Sequence, residues 1–557
     1  MSYVWHKIWP ESVPKDLELL DINLIDMLAK HIPENENSTY LQFMKKSWTY
    51  GEIYSDVKAL AAFLHKNGIT SEDKVAILMP NIPQFVVTFF AVQYLGAVGS
   101  LLNTLYVSSE FKHTLNDSGA TAIIAADFMY DEIIPIKEET SLQLVIITSI
   151  GDVLSGATSF LGKKLGKIPT PKKKDPTAIL WNKAISEGRS FDSPNKVRKD
   201  PEDVAVLIYT GGTTGPSKGA MSTHRNFSHQ ADFLGHWTPQ PVNPEEDAFV
   251  GALPLFHSYG LTVGLLSATY HGTRFVLIPN PRDIDNLLKQ IVKTKATYLP
   301  GVPTLYIAML NHPDIKKYDL SSIKFCLSGA APLPAEVQKQ FEKLTGAVLL
   351  EGYGLTETSP ISHANPAKDD SKRKIGSVGI PISNTHSKIV NLETGEEVPI
   401  GEEGEICMKG PHIMKGYWKK PVETAKVIDS DGYFHSGDVG KMDEEGFFYI
   451  TDRIKDMIIV SGYKVFPRDV EEVLFKHPAV ENAAVIGVPD ERTTERVKAF
   501  VVLKEGKDAT ETELLKFCEE NLASYRKPKE LEIRKDLPLS MIGKVLRREL
   551  RQEELKK

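Results

Sequence analysis

Cysteine is scarce in this 557-residue chain. The three that occur, Cys326, Cys407 and Cys518, are far apart and lack metal-ligand spacing. That excludes a disulfide framework and a cysteine-based zinc site, and fits a reducing compartment. Long apolar runs are missing as well, since crossing a bilayer takes ~20 apolar residues. The nearest stretch, Phe85 to Leu102, carries Gln93 and two glycines and reads as a buried helix. The opening MSYVWHKIWPESVPKDLELL has no apolar core of the signal-peptide kind, so the expectation is a cytoplasmic protein. An excess of positive charge is also lacking: the formal net charge is −7, which argues against nucleic acid as the main partner. No repeat of solenoid period is visible.

What is present has the composition of an ordinary globular protein, and the length suggests roughly three to five structural units. Residues up to about Tyr50 read as a leader lying over the first domain. SWTYGEIYSDVKALAAFLHKNGI has Ile53, Val57, Leu60, Ala61 and Leu64 at helical spacing. KVAILMP reads as a strand, FVVTFFAVQYLGAVG as a helix, and TAIIAAD and LQLVIITSI as further strands. Strands alternating with helices imply an α/β fold with largely parallel sheets. Between Gly151 and Asn182 the pattern weakens into an insertion carrying Lys163, Lys164, Lys167, Lys172, Lys173 and Lys174. It reads as a solvated loop or, more sharply, as a patch for an anionic membrane surface. From Gly376 short strands alternate with turns, as in a small antiparallel β-barrel, and after Asp452 the chain reads as a separate small α/β domain.

Val206 to Gly219, VLIYTGGTTGPSKG, is the stretch on which the reading turns. A short apolar run breaks into a loop in which Gly211, Gly212 and Gly215 let backbone N–H groups close on a ligand. Thr210, Thr213, Thr214 and Ser217 add hydroxyls and Lys218 adds a positive charge, a set suited to a polyphosphate. The spacing is not that of a Walker loop, because Ser217 precedes the lysine. Other apolar runs also end in Gly/Pro/Thr-rich loops, and ligands gather at the carboxyl ends of strands in open α/β sheets. EGYGLTET offers Tyr353 as a flat ring, Thr356 as a hydroxyl and Glu357 as a hard oxygen ligand for magnesium. HSGDVG offers Asp438 for the hydroxyls of a ribose, with Arg453 beside it in TDRIKD. LPLSMIGKVLRREL presents Lys544 on a loop after a proline.

Motif for motif, the chain resembles the adenylate-forming superfamily of acyl-CoA synthetases, firefly luciferases and peptide-synthetase adenylation domains. The resemblance runs from about Trp48 to Arg548. It rests on YTGGTTGPSKG, LPLFHSYG, SGAAPL, EGYGLTET, GYFHSGDVG, DRIKDMIIVSGYKVFP and PLSMIGKVLRREL in the superfamily's order. It implies an α/β fold with a large N-terminal domain, 1–452, made of two α/β sheet subdomains plus a small β-barrel at about 376–452. A small mobile α+β C-terminal domain, 453–557, would follow a hinge. It also implies a carboxylic acid, ATP, Mg2+ and coenzyme A as reactants and cofactors, with acyl-AMP as intermediate.

Residue by residue, Lys544 matches the adenylation lysine, and Glu357 with Thr210 the magnesium-linked pair. The loop Thr210 to Gly215, with Lys218, matches the triphosphate clamp. Gly329, Ala330, Ala331, Glu351, Gly352, Tyr353, Gly354 and Thr356 match the adenine-side segments, and Asp438 and Arg453 the ribose contacts. Lys455 matches the hinge, while Gly462 and Lys464 lie in the segment that would line the thiol channel. His257, Ser258, Tyr259, Gly260 and Gly264 would begin the acid pocket. GVPTLYIAMLNHP and IKKYDLSSIKFCLSGAAPLP resemble long-chain members most, although Leu261 stands where some of these place a tryptophan gate. The reading is a long-chain fatty acid–CoA ligase, with peripheral membrane contact and a homodimer as partner expectations. Its alternatives are an aryl- or medium-chain acid–CoA ligase, a ligase loading a carrier protein, and a non-catalytic nucleotide-binding protein.

Overall fold

A computed structural model of the chain describes residues 3–154, 156, 159, 162, 164–166, 168–173, 175–210, 216–368, 372–461, 463–490, 492–539 and 545–556. It divides into two compact units. The larger comprises Trp9–Thr385 and Lys409–Asp429, and the smaller Met1–Ile8, His386–Met408 and Ser430–Lys557.

In the larger unit the short apolar runs become strands covered on both faces, as parallel pairing requires. The seven-stranded sheet runs Ile179–Leu180, Leu144–Thr148, Ala122–Ala126, Lys74–Leu78, Val98–Leu101, Val204–Thr210, Lys218–Thr223. All its neighbours are parallel except the last pair, an antiparallel hairpin. The nine-stranded sheet runs Ile380–Pro381, His363–Ala364, Val348–Tyr353, Phe325–Ser328, Tyr298–Gly301, Ala248–Gly251, Arg274–Leu277, Thr39–Phe43, Lys46–Thr49. Its central pairs are parallel, with Gly301 opposite Ser328 and Ser328 opposite Glu351. The loops that follow these strands therefore leave along one edge.

Helix Tyr50–Lys66 begins where the Thr49 hydroxyl accepts a hydrogen bond from the Glu52 N–H while the Glu52 carboxylate accepts one from the Thr49 N–H. This reciprocal cap satisfies two otherwise orphan donors. Its apolar stripe, including Ile53, Val57, Leu60 and Leu64, is buried as the spacing predicts. Two expectations are corrected. The leader contributes the edge hairpin Thr39–Phe43/Lys46–Thr49 to the nine-stranded sheet. The helix expected over FVVTFFAVQYLGAVG ends at Tyr94, because Gly96 turns with φ +67 and Val98–Leu101 becomes a strand.

In the smaller unit, His386–Val390, Gly404–Lys409, Phe434–Met442 and Phe448–Arg453 form a four-stranded sheet in that order. A second sheet orders Tyr463–Val465, Ile458–Val460, Thr494–Leu503, Val480–Asp490, with Glu530–Arg534 parallel to Thr494–Leu503. Helices Pro467–Phe475 and Glu511–Asn521 close its core of Val470, Leu474, Val485, Val497 and Leu514. Truncating a leucine buried like Leu474 typically costs ~2–5 kcal/mol. Arg547 on helix Arg547–Glu554 forks onto both oxygens of Glu471, and Arg551 reaches Asp456 at 3.1 Å. Buried charges persist only when paired in this way.

Candidate active site

The polyphosphate loop joins two strands that close on each other. Thr210 ends one and Lys218 begins the other, directly opposite in register, with the Thr210 hydroxyl 3.4 Å from the Lys218 carbonyl. Gly211, Gly212, Thr213, Thr214 and Gly215 lie outside the described residues, as do Lys163, Lys167 and Lys174 of the basic insertion. The exit of the loop is held by a ring nitrogen of His113, 2.8 Å from the Ser217 carbonyl. Its entry is held by the Tyr209 hydroxyl, which donates to Asp117 at 2.9 Å. Burial and that carboxylate push the Tyr209 phenol well above its ordinary range, so it stays a donor. Lys218 lies 4.6 Å from the centre of the Tyr417 ring and 3.5 Å from a Glu423 oxygen.

Glu357 is buried in a single turn, Thr356–Thr358, just after strand Val348–Tyr353. Thr358 shapes that turn, accepting from the Leu355 N–H and donating to the Pro360 carbonyl. The carboxylate Oε1 accepts the Tyr417 hydroxyl at 2.8 Å, and the Glu357 carbonyl accepts the Met414 N–H at 2.8 Å. Thr210 and Glu357 are both hard oxygen donors, the chemistry a magnesium ion takes. The structure thus adds Tyr417, Glu423, His113 and Asp117 to the residues singled out in sequence. Their signal was absent because each acts across a large sequence separation on one residue of a recognised motif.

On the same strand-end edge, Gly329 packs against Tyr259: a Cβ there would lie 3.1 Å from the ring. Ala330 holds φ +67, the left-handed region that favours glycine. The fully enclosed Tyr259 donates its hydroxyl to the Leu327 carbonyl at 2.6 Å and approaches the Gly301 carbonyl at 3.2 Å. It is therefore a brace between neighbouring strand ends. Glu351 is buried and Gly352, Tyr353, Gly354 and Thr356 are half-buried, the Tyr353 ring tilted 5.7 Å from that of His363.

After LPLFHSYG the chain winds as a π-helix, Gly260–Leu266, containing Gly264 and fully buried. Such wide turns recur at functional sites. A Cβ on Gly260 would fall 2.3 Å from the Pro254 carbonyl oxygen, so only glycine fits. His257 is half-buried and accepts the Tyr259 N–H at 3.4 Å, and Ser258 is buried beside it. The loop is fixed from outside by Asn81, unmarked in sequence. Its amide donates to the Gly251 and Leu253 carbonyls, both at 2.8 Å, and accepts the Leu255 N–H at 3.0 Å.

In the smaller unit, Asp438 is buried and opposes Arg453 across paired strands, the guanidinium Nε 3.0 Å from its carboxylate. Upstream on the same strand, His435 Nδ1 lies 2.8 Å from Glu405 Oε2 and 3.3 Å from Cys407 Sγ. The Gly437 N–H holds Glu405 Oε1 at 2.8 Å. With its nitrogen and both oxygens engaged, this trio is a hydrogen-bonded brace under the Asp438 strand. Lys455 and Lys464 are exposed, Lys464 3.6 Å from Glu393. Gly462 and Lys544 lie outside the described residues.

Comparison with known proteins finds the AMP-binding enzyme family over residues 28–418 and the AMP-binding enzyme C-terminal domain over 469–544. A long-chain-fatty-acid–CoA ligase of Bacillus subtilis (strain 168) is 42% identical, covering 99% of this chain and 98% of the relative. Among solved structures, the anthranilate CoA ligase AuaEII in complex with anthranoyl-AMP superposes with a TM-score of 0.84 at 26% identity. It covers 97% of this chain and 98% of that one. ATP-bound MatB from Rhodopseudomonas palustris superposes with a TM-score of 0.81 at 28% identity, over 96% of this chain and 99% of that one.

Proposed function

The chain belongs to the AMP-binding enzyme family, and from that premise we propose that it is an ATP-dependent long-chain fatty acid–CoA ligase. The observation that carries the reading is full-length similarity to a ligase of that name. In the first half-reaction a carboxylate oxygen of the acid attacks the α-phosphorus of ATP. The α–β phosphoanhydride bond breaks, leaving acyl-AMP and pyrophosphate. In the second, the thiol of coenzyme A loses its proton and attacks the acyl carbon. The acyl–phosphate bond breaks, leaving acyl-CoA and AMP.

The first step gathers negative charge on oxygen, so the chain's task is positioning and electrostatic stabilisation. In this reading Thr210 to Gly215 and Lys218 grip the β- and γ-phosphates and hold the leaving group. Thr210 and Glu357 would hold magnesium, which supplies charge neutralisation along the triphosphate. Gly329 to Ala331 and Glu351 to Thr356 receive the adenine side, and Asp438 and Arg453 the ribose. Lys544 bridges the attacking carboxylate and the α-phosphate. Lys455 is the pivot on which the region after Asp452 alternates between half-reactions, bringing Gly462 and Lys464 to the thiol's path. His257, Ser258, Tyr259, Gly260 and Gly264 shape the start of the acid pocket.

The same reading has the enzyme meet its acid at a lipid surface. Lys164, Lys172 and Lys173 are exposed, and so are the apolar side chains of Leu165 and Leu180, at 60% and 61%. No helix among the described residues is long and apolar enough to cross a membrane. Pyrophosphate exchange into ATP over a panel of acids tests the function. Exchange peaking on long-chain fatty acids is expected. A peak on aromatic acids would select an aryl-acid ligase, and no exchange with any acid would reject enzymatic adenylation.

A further inference from the structure

One tyrosine touches both charged groups that the triphosphate end of the site needs. We propose that Tyr417 is a positioning residue, setting the Glu357 carboxylate and the Lys218 ammonium in one arrangement for a magnesium-bound triphosphate. The inference rests on the proposed roles of Glu357 and Lys218.

Its backbone is pinned first. Residues 414–418 run beside strand Lys218–Thr223 and join it through an isolated antiparallel bridge. Tyr417 bridges to Ala220, Met221 N–H donates to Gly416, Lys415 N–H to Met221, and Trp418 N–H to Gly219. The Tyr417 N–H donates to the Thr424 hydroxyl at 2.9 Å, and Met414 ties the segment to the Glu357 carbonyl. With the Cα fixed from both sides, the ring cannot swing far. Its hydroxyl donates to Glu357 Oε1 at 2.8 Å in a buried setting, and its ring lies 4.6 Å from Lys218 Nζ.

The chemistry suits both partners. A phenol orients a carboxylate by hydrogen bonding and favours its ionised form, yet brings no positive charge to compete with a metal for it. Burial and the facing carboxylate raise the Tyr417 phenol far above its ordinary range, so it remains a donor. The aromatic face attracts an ammonium without neutralising it. Glu423, half-buried and 3.5 Å from the same ammonium, is an anchor that Lys218 can exchange for phosphate.

The test separates orientation from bulk. Manganese, as a magnesium stand-in, is titrated by electron paramagnetic resonance into the protein holding α,β-methylene ATP, which cannot lose pyrophosphate. Tyr417→Phe keeps the ring and loses the hydroxyl. It is expected to weaken manganese binding about tenfold, as for a hydrogen bond to a charged group, with metal-free binding of the analogue unchanged. Tyr417→Leu is expected to weaken metal-free binding of the analogue as well, because Lys218 loses its platform. If Tyr417→Phe binds manganese like the parent while Glu357→Gln does not, the positioning role is overturned. Equal losses in manganese and metal-free analogue binding in Tyr417→Phe would overturn it too. If Glu357→Gln itself binds manganese normally, what fails is the assignment of Glu357 as ligand.

Discussion

At the scale of single residues, Asn81 shows how much of a site can hang on an amide outside it. Its three hydrogen bonds all fall on the loop between Gly251 and Leu255, two residues short of His257. Removing them leaves the buried Leu253 carbonyl and Leu255 N–H unpaired, each worth ~1–3 kcal/mol, while the Gly251 carbonyl keeps the Ile278 N–H. Asn81→Ala should therefore raise the KM for the acid several-fold while leaving that for ATP close to the parent, measured by initial rates of thioester formation. A parallel rise in both would assign Asn81 to general stability. The residues legible in sequence were those in contiguous motifs, where Gly, Thr and Lys stand together: Thr210, Lys218, Glu357, Asp438. Asn81 and Tyr417 were not legible. The first acts on partners about 170 positions away and the second on one 60 away, and a lone Asn after a strand or a lone Tyr after a glycine has no periodicity to mark it.

At the scale of elements, the apolar strands and the strand-ending loops were readable because buried parallel strands are continuous apolar runs bounded by turn residues. The misses have local causes. The hairpin Thr39–Phe43/Lys46–Thr49 turns through Met44 at φ 56, so no glycine or asparagine announces it. Strand Lys218–Thr223, KGAMST, lacks the bulky β-branched run of its partner and owes its form to pairing on both sides. The π-helix Gly260–Leu266 has no signature of its own in sequence, since a wider turn leaves the same apolar stripe. It makes a sharp demand on Gly260, whose Cβ would strike a backbone oxygen that cannot rotate away. Gly260→Ala should lower stability by about 1–3 kcal/mol, as overpacking does. Denaturant unfolding measures it, with a shift in acid preference expected because the start of the pocket must move.

At the scale of the whole molecule, the two units carry opposite responses to acid. Five histidines of the larger one, four buried and His271 half-buried, are held neutral. Burial lowers His224, His229 and His271 to about 4 and His363 to about 3, and His412 well below the ordinary 6.5. Unfolding lets each bind a proton, so their stabilisation is complete above 6.5 and drains away as pH falls towards 4. In the smaller unit burial raises Asp452 to about 6, so its contribution is fullest below 3.8 and lost as pH rises through 6. Trypsin digestion between pH 7 and 4.5 should release fragments of Trp9–Thr385 progressively sooner than those of 453–557, and the reverse order would reject the argument. The proposed reaction would divide along the chain as well. Lys544→Ala should cost pyrophosphate exchange about 10²–10³-fold, the loss seen for one preorganised donor, while supplied acyl-adenylate is still converted to thioester. Equal loss in both steps would reject a lysine confined to the first half-reaction. The bridged segment at 414–418 bears finally on how the protein is made. It reaches its partner strand only after the chain has left the larger unit at Thr385 and returned at Lys409. At ribosomal speeds of ~5–20 residues per second, the phosphate hairpin waits roughly 10–40 s for it. Nascent chains therefore hold the rest of the larger unit before this edge of the hairpin is covered.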